Sequence, residues 1–255
     1  MKELLSNILI KKYENLSLRP AKLDQFIGQD SVTELLKIYI LAANTRGEIL
    51  RHVLIHGDSG LGKRLLAETV GREIGRNNHF FDCTKNLSHG DLAALYSSCD
   101  SGDIIIIQDI ELIDEISEKI TIEAMKNFNF EIQIGSGEEL HSIKVDLHPI
   151  TVIATTTQID KIKKSLRNQF DILLKIEKYT IKDLEIFVKK IIEEDNISIT
   201  NEAIIFIVEN CDGNPSLAKL LIKHTLDFAI VLNKGNISKE ICEYALRKMI
   251  ENLII

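Results

Sequence analysis

The stretch Gly57-Asp58-Ser59-Gly60-Leu61-Gly62-Lys63-Arg64 constrains the fold of this chain more than any other. Before it, Arg51 to His56 ends in a short apolar run of strand type. After it, Leu66, Val70 and Ile74 fall on one helical face, and Gly75 supplies a stop. A glycine turn between strand and helix aims backbone N–H groups and the positive helix end at one point, the arrangement that holds a phosphate. The pattern G-x-x-x-x-G-K-[ST] is met everywhere but at its last position, where Arg64 replaces the hydroxyl that ligates Mg²⁺. Arginine has five donors and no acceptor, so it ligates no cation. The expected nucleotide cradle is Gly57, Gly60, Leu61, Gly62, Lys63, Arg64 and Leu65.

The rest of the pattern suits such a loop. Val32, Leu35, Leu36, Tyr39, Ile40 and Ala43 keep helical period after Ser31, whose spacing to Glu34 is that of a capping box, and Gly47 ends the run. Strands are expected at His79–Asp82, Ile104–Ile107, Thr151–Thr155 and Ile172–Ile176, with helical pattern between most of them. Short, continuously apolar strands alternating with helices give a parallel sheet covered on both faces, an α/β fold. Residues 130–147 break the rhythm. Two period-two arms flank Gly135-Ser136-Gly137, predicting a projecting hairpin. From Tyr179 onward the pattern is all-helical: one helix opened by Thr180 with Asp183, a second from Asn201 to Asn210, a third from Pro215 to Leu232. The expected division is therefore a nucleotide-binding core over residues 1–176 and a helical lid over 177–255.

A phosphate-loop enzyme needs a second strand ending in an acidic pair, one carboxylate for the metal and one to orient water. Here the strand from Ile104 ends Gln108-Asp109-Ile110-Glu111. Gln108 stands at the metal position, where an amide brings no negative charge. Asp109 stands where a glutamate is expected, about 1.5 Å short in reach. A one-residue slide would instead put Asp109 at the metal, at the cost of turning every side chain of the strand to the other face. Without the slide, Arg64 and Gln108 remove two features of one Mg²⁺ site, so no metal site is expected.

Composition excludes some classes. A net charge of −7 argues against a broadly basic nucleic-acid surface, and the stripe from Lys161 to Arg167 reads as a solvated face. Cys83, Cys99, Cys211 and Cys242 lack paired spacing and read as reduced thiols, and the seven histidines show no metal spacing. No apolar run reaches membrane-spanning length, so a cytoplasmic location is expected. Asp91 is as well suited to helix capping as to a functional role.

Several ordered motifs resemble the RuvB family of AAA+ Holliday-junction branch-migration motors. They are Leu18-Arg19-Pro20-Ala21-Lys22-Leu23-Asp24-Gln25-Phe26-Ile27-Gly28-Gln29, the glycine loop, Gly90–Ala94, both hairpin arms, and Leu166-Arg167-Asn168-Gln169-Phe170. The likeness runs from about Leu18 to Ala229. It implies an AAA+ core and helical lid, with Leu18, Arg19, Ile27 and Tyr179 at the nucleotide. It implies a sensor at Thr156 or Thr157, with Thr157 as the candidate, and an arginine finger at Arg167. It also implies a hexameric ATP-driven motor at a RuvA-bound junction, with the hairpin, through Ile132 and Ile134, as the arm that meets RuvA. Simple hairpin packing explains those isoleucines equally well.

The chain departs from the family pattern where the chemistry lies. Beside Arg64, Gln108 and Asp109, Gln169 replaces a second arginine, and Ser216 follows Gly213-Asn214-Pro215 where an arginine senses the γ-phosphate. An arginine finger alone contributes orders of magnitude in rate. The family's winged-helix domain, which touches DNA, is not expected within these residues. The expectation is a RuvB-like subunit that binds ATP or ADP, hydrolyses little or none, and works with RuvB-like subunits (itself or an active homologue) and a RuvA-like protein, touching DNA indirectly. Two alternatives stand beside it: an active motor with a shifted metal site at Asp109 or Glu111, and a nucleotide-independent interaction module.

Overall fold

The computed structural model describes residues 18–134 and 141–251. Its elements, in chain order, are α1 (Asp30–Arg46), β1 (Val53–His56), α2 (Lys63–Ile74), β2 (Asn78–Asp82), α3 (His89–Ser97), β3 (Ile104–Gln108), α4 (Glu115–Asn127), β4 (Asn129–Ile134) and β5 (His141–Asp146). They continue with β6 (Thr151–Thr156), α5 (Lys164–Arg167), β7 (Ile172–Lys175), α6 (Ile181–Glu194), α7 (Asn201–Glu209), α8 (Pro215–Leu232) and α9 (Lys239–Glu251).

Five strands form a parallel sheet in the order β2-β3-β6-β1-β7. Buried side chains on both faces explain why Ile104 to Ile107 reads as an unbroken apolar run: Ile104 and Ile106 enter one core, Ile105 and Ile107 the other. The first core joins α1, α2 and the later helices, and the second joins α3, α4 and the base of the hairpin. The expected α/β core with a following all-helical region is therefore the observed fold. No helix among the described residues is long and apolar enough to cross a membrane.

The hairpin forms as its period-two arms predict, with Ile132 opposite Ile143 and Ile134 opposite His141. Its Gly-Ser-Gly turn lies outside the described residues. Thr180 caps α6 in a full capping box with Asp183, and Ser88 with Asp91 does the same for α3, which makes Asp91 a capping residue.

Two expectations change. The helix predicted to open on a Ser31–Glu34 capping box begins at Asp30, after Gln29 in the left-handed conformation (φ 60°). Gln29 is committed elsewhere: its Nε2 donates to the Glu177 carbonyl at 2.6 Å and its Oε1 accepts from the Glu177 N–H at 3.2 Å. That pairing ties the start of α1 to the segment leading into α6. The second change is α9, a fourth helix in the later region, which packs on α8 and buries Cys242 and Ala245.

Candidate nucleotide site

The glycine loop runs from the end of β1 into α2, and its glycines are fixed by close approach. A Cβ on Gly57 would lie 2.4 Å from the Ile176 carbonyl oxygen. One on Gly60, at φ 81°, would lie 2.6 Å from Asn214 Oδ1. The loop is therefore seated between β7 and the start of α8. Asn214 caps α8 by accepting from the Ser216 and Leu217 N–H groups, while its own amide donates to the Ser59 carbonyl at 2.9 Å. Ser216 Oγ donates to the Gly60 carbonyl at 2.9 Å. Ser216, which stands where the resemblance leads one to expect an arginine, is thus a neutral latch onto the loop.

Lys63 opens α2 and is buried, 8% exposed. Its Nζ donates to the carbonyls of Gly57 at 2.8 Å and Asp58 at 2.7 Å, within its own loop. Burial holds its pKa below the usual lysine value, and Asp109, Glu111 and Asp58 draw it partly back. An ammonium at the mouth of a glycine loop and at a helix N-terminus suits a phosphate.

Arg64 and Gln108, the two residues that stand where metal ligands are expected, meet: Arg64 Nη1 donates to Gln108 Oε1 at 3.3 Å. Arg64 Nε donates to Glu68 Oε1 at 2.9 Å, and the guanidinium carbon lies 5.2 Å from the centre of the Phe80 ring. Gln108 faces α2, and Asp109 follows in the left-handed conformation (φ 52°). Burial, then the charge of Glu111, raises the Asp109 pKa, with Lys63 acting against both.

The contacts continue along α2 at helical spacing. Glu68 also meets Arg72, at 3.5 Å, and Arg72 Nε donates to the Pro20 carbonyl at 2.9 Å. A line of side chains thus runs from the metal position to the Leu18–Ile27 segment. In that segment Leu18 is buried, Arg19 exposed and Ile27 partly buried. Tyr179, buried and anchored by its N–H to the Gly213 carbonyl at 2.9 Å, packs so closely on Gly28 that a Cβ there would lie 2.9 Å from its ring. Leu18, Ile27, Leu61, Leu65 and Tyr179 belong to one apolar cluster beside the loop.

The remaining candidates surround the end of β6. Thr157 donates to Glu111 Oε1 through its N–H at 3.0 Å and its hydroxyl at 2.9 Å. Burial pushes Glu111 up, but hydrogen bonds, those from its own backbone and Thr157 among them, outweigh it and leave its pKa lowered. Arg167 ends α5, half-buried, while Gln169 Nε2 donates to the Ser165 carbonyl at 2.9 Å. His56 at the end of β1 is held below its ordinary pKa by burial first, then by the charges of Lys175, Arg167 and Lys63. Ile132 is packed against the second core, and its cross-strand partner Ile143 is exposed. The side chain of Ile134 lies outside the described residues.

The sequence motifs assign no role to Glu68, Arg72, Phe80 or Asn214, which join the site in the folded chain. The Arg64-Glu68-Arg72 spacing of four was a usable signal for the first two. Asn before Pro215 was one for the helix cap.

Comparison with known proteins places this geometry. Residues 18–176 match the P-loop domain of the Holliday junction DNA helicase RuvB, and residues 179–250 match the RuvB AAA lid domain. The chain is 36% identical, over 91% of its length and 70% of the relative's, to the RuvB subunit of the Holliday junction branch migration complex of Phytoplasma mali (strain AT). It resembles the solved Thermotoga maritima RuvB Holliday junction branch migration motor with a TM-score of 0.78 at 30% identity, covering 90% of this chain and 72% of that one. A single-substitution variant of that motor gives the same TM-score at 31% identity, with the same coverage. The chain belongs to the RuvB family of AAA+ Holliday-junction branch-migration proteins.

Proposed function

We propose that this chain is a RuvB-family subunit that binds an adenine nucleotide without needing Mg²⁺ and turns it over slowly or not at all. The observation that carries the reading is the Arg64–Gln108 contact at 3.3 Å. The residues suit a phosphate: the glycines leave no room for side chains, and the Lys63 ammonium lies among backbone carbonyls that a phosphate would replace. They do not suit Mg²⁺, because Arg64 has no lone pair and Gln108 supplies no charge and already accepts from Arg64. The guanidinium then takes the position of the cation beside the phosphates. Leu18, Arg19, Ile27 and Tyr179 flank the base, and Ser216 faces the phosphate end.

In this reading residues 1–176 are the core and 177–255 the lid. The subunit works in the cytoplasm within a branch-migration assembly of RuvB-like subunits, copies of itself or an active homologue. It docks a RuvA-like protein through the 130–147 hairpin, and its contact with DNA is indirect. Thr157, bound to Glu111, and Arg167, near His56, keep the places of sensor and finger without a metal to act with.

Titration calorimetry with ADP and with ATP, in Mg²⁺ and in excess EDTA, tests this. Binding of similar strength in both buffers is expected, and Arg64→Thr with Gln108→Asp should convert it to Mg²⁺-dependent binding. Loss of affinity on adding EDTA to the unaltered chain overturns the reading, as does an ATPase rate that collapses in Lys63→Ala.

One observation favours a second reading. Three carbonyls of the loop are already partnered, that of Asp58 by Lys63, Ser59 by Asn214 and Gly60 by Ser216, so the chain itself holds the loop in shape. A nucleotide-independent interaction module follows if no nucleotide binds in either buffer while capture of a RuvA-like partner is lost in Ile132→Asp.

A further inference from the structure

The end of the sheet away from the glycine loop holds three donors of different chemistry from three separate elements. His79 is on β2, Cys99 lies just beyond α3, and Asp103 stands immediately before β3. Cys99 and Asp103 are each 3% exposed, and one ligand atom from each residue lies within 4.8 Å of the other two. His79 Nε2 is 2.8 Å from Asp103 Oδ2, and Cys99 Sγ is directed at the Leu95 carbonyl at 3.2 Å. The same Asp103 Oδ2 also accepts from the Asp100 N–H at 3.1 Å, which fixes the orientation of the carboxylate.

We infer that His79, Cys99 and Asp103 form a binding site for a thiophilic divalent cation of the zinc class. Such an ion takes imidazole, thiolate and carboxylate at about 2.0–2.3 Å, which sets ligand atoms about 3.3–3.7 Å apart. The three groups reach that spacing by shifts of about 1 Å; the cation displaces the Cys99 thiol proton, which is released to solvent, and takes the place of the proton between His79 Nε2 and Asp103. Charge also balances: a dication with one thiolate, one carboxylate and one neutral imidazole makes a neutral centre, the condition for a largely buried ion. The partial exposure of His79, whose side chain is 25% exposed, provides the route in and the place for a fourth, water ligand. Three protein ligands and one open position hold an ion more weakly than a closed four-ligand site. The site is about 15 Å along β3 from Gln108, so it is separate from the nucleotide position.

A Co²⁺ titration of the full chain after chelator treatment reads the site directly. Tetrahedral Co²⁺ with a thiolate ligand is expected, seen as intense visible bands with a sulfur-to-cobalt charge-transfer band, both displaced by Zn²⁺. Zn²⁺ at a hundredfold excess over its Kd should raise Tm by about 5 °C or more. Both signals should vanish in Cys99→Ala, and affinity should fall at least about tenfold in His79→Ala, whose part-exposed position makes it the control should the first variant fail to fold. Weak octahedral Co²⁺ bands without charge transfer overturn the assignment and leave His79–Asp103 as a plain ion pair. An unchanged spectrum in either variant overturns it as well.

Discussion

Arg64 and Gln108, forty-four residues apart in sequence, share a hydrogen bond of 3.3 Å at the junction of α2 and β3. Each residue makes the other tolerable: the guanidinium has an acceptor and the amide has a donor. The bond is part-exposed, so its coupling energy is modest. A double-mutant cycle with Arg64→Met and Gln108→Leu, read by urea unfolding, should give a coupling of about 0.5–1 kcal/mol. A value near zero would mean that the contact contributes nothing to stability.

Glu68 links Arg64 to Arg72 and, through Arg72, to the Pro20 carbonyl. Glu68→Gln keeps the shape and removes the charge. Amide hydrogen exchange over residues 18–23 should become faster, with global stability lowered by no more than about 1 kcal/mol. Unchanged exchange there would show that Arg72 holds the segment without Glu68.

Two glycines, one in the loop and one at the end of α2, differ in what surrounds them. Gly57→Ala drives a Cβ to 2.4 Å from a backbone oxygen and should destabilise by about 3 kcal/mol or more. Gly75→Ala, at φ 74° with nothing within 4 Å, carries only the left-handed backbone term of about 1 kcal/mol. Equal losses in thermal unfolding would remove close packing as the reason for Gly57.

His52 is buried between β1 and α4, where Nδ1 accepts from the Val152 N–H at 3.0 Å and Nε2 pairs with the Met125 carbonyl at 3.1 Å. Burial holds its pKa below the ordinary 6.5, ahead of the opposing pull of the Met125 carbonyl. The folded chain therefore resists a proton that the unfolded chain accepts. Stability is full above about pH 6.5 and falls as the pH drops below it, by at most about 1.4 kcal/mol per pH unit for one such group. His56 and His224, also lowered, act in the same direction. Urea midpoints at pH 7.5 and 5.5 should differ accordingly, and a midpoint that holds or rises on acidification contradicts the assignment.

Asn214 has two duties, capping α8 and binding the Ser59 carbonyl. Asn214→Ala should cost about 2 kcal/mol, more than a surface cap alone, and Asn214→Asp should recover the cap but not the bond to the loop. Equal stability of Asp and Asn variants would mean that the loop contact is energetically silent.

Local patterns carried much of this into the sequence. The strand, glycine loop and helix were legible because their signals lie within about twenty-five residues, and the hairpin because its arms alternate on both sides of a glycine turn. The departures at residues 64, 108, 109, 169 and 216 were legible as identities only. Their partners were not: Arg64 meets Gln108 and Ser216 meets Gly60, as the sensor candidate Thr157 meets Glu111, through contacts that exist only once the sheet has ordered its strands. Ser31 to Glu34 misled for a related reason, since Gln29 is claimed by Glu177 across the fold. The last helix, Lys239–Glu251, carries the same kind of local signal, with Ile241, Cys242, Ala245, Leu246 and Met249 at helical spacing, and it lies in the all-helical stretch expected from Tyr179 onward.

A guanidinium anchored on α2 is a positive charge that no chelator strips and no change in free magnesium dilutes. A metal ion arrives and departs with its ligand, and its occupancy follows the surrounding solution. Arg64 is present at one equivalent per subunit under all conditions, held by Glu68 and Gln108. The electrostatic state of this corner of the chain is therefore set when the chain is synthesised.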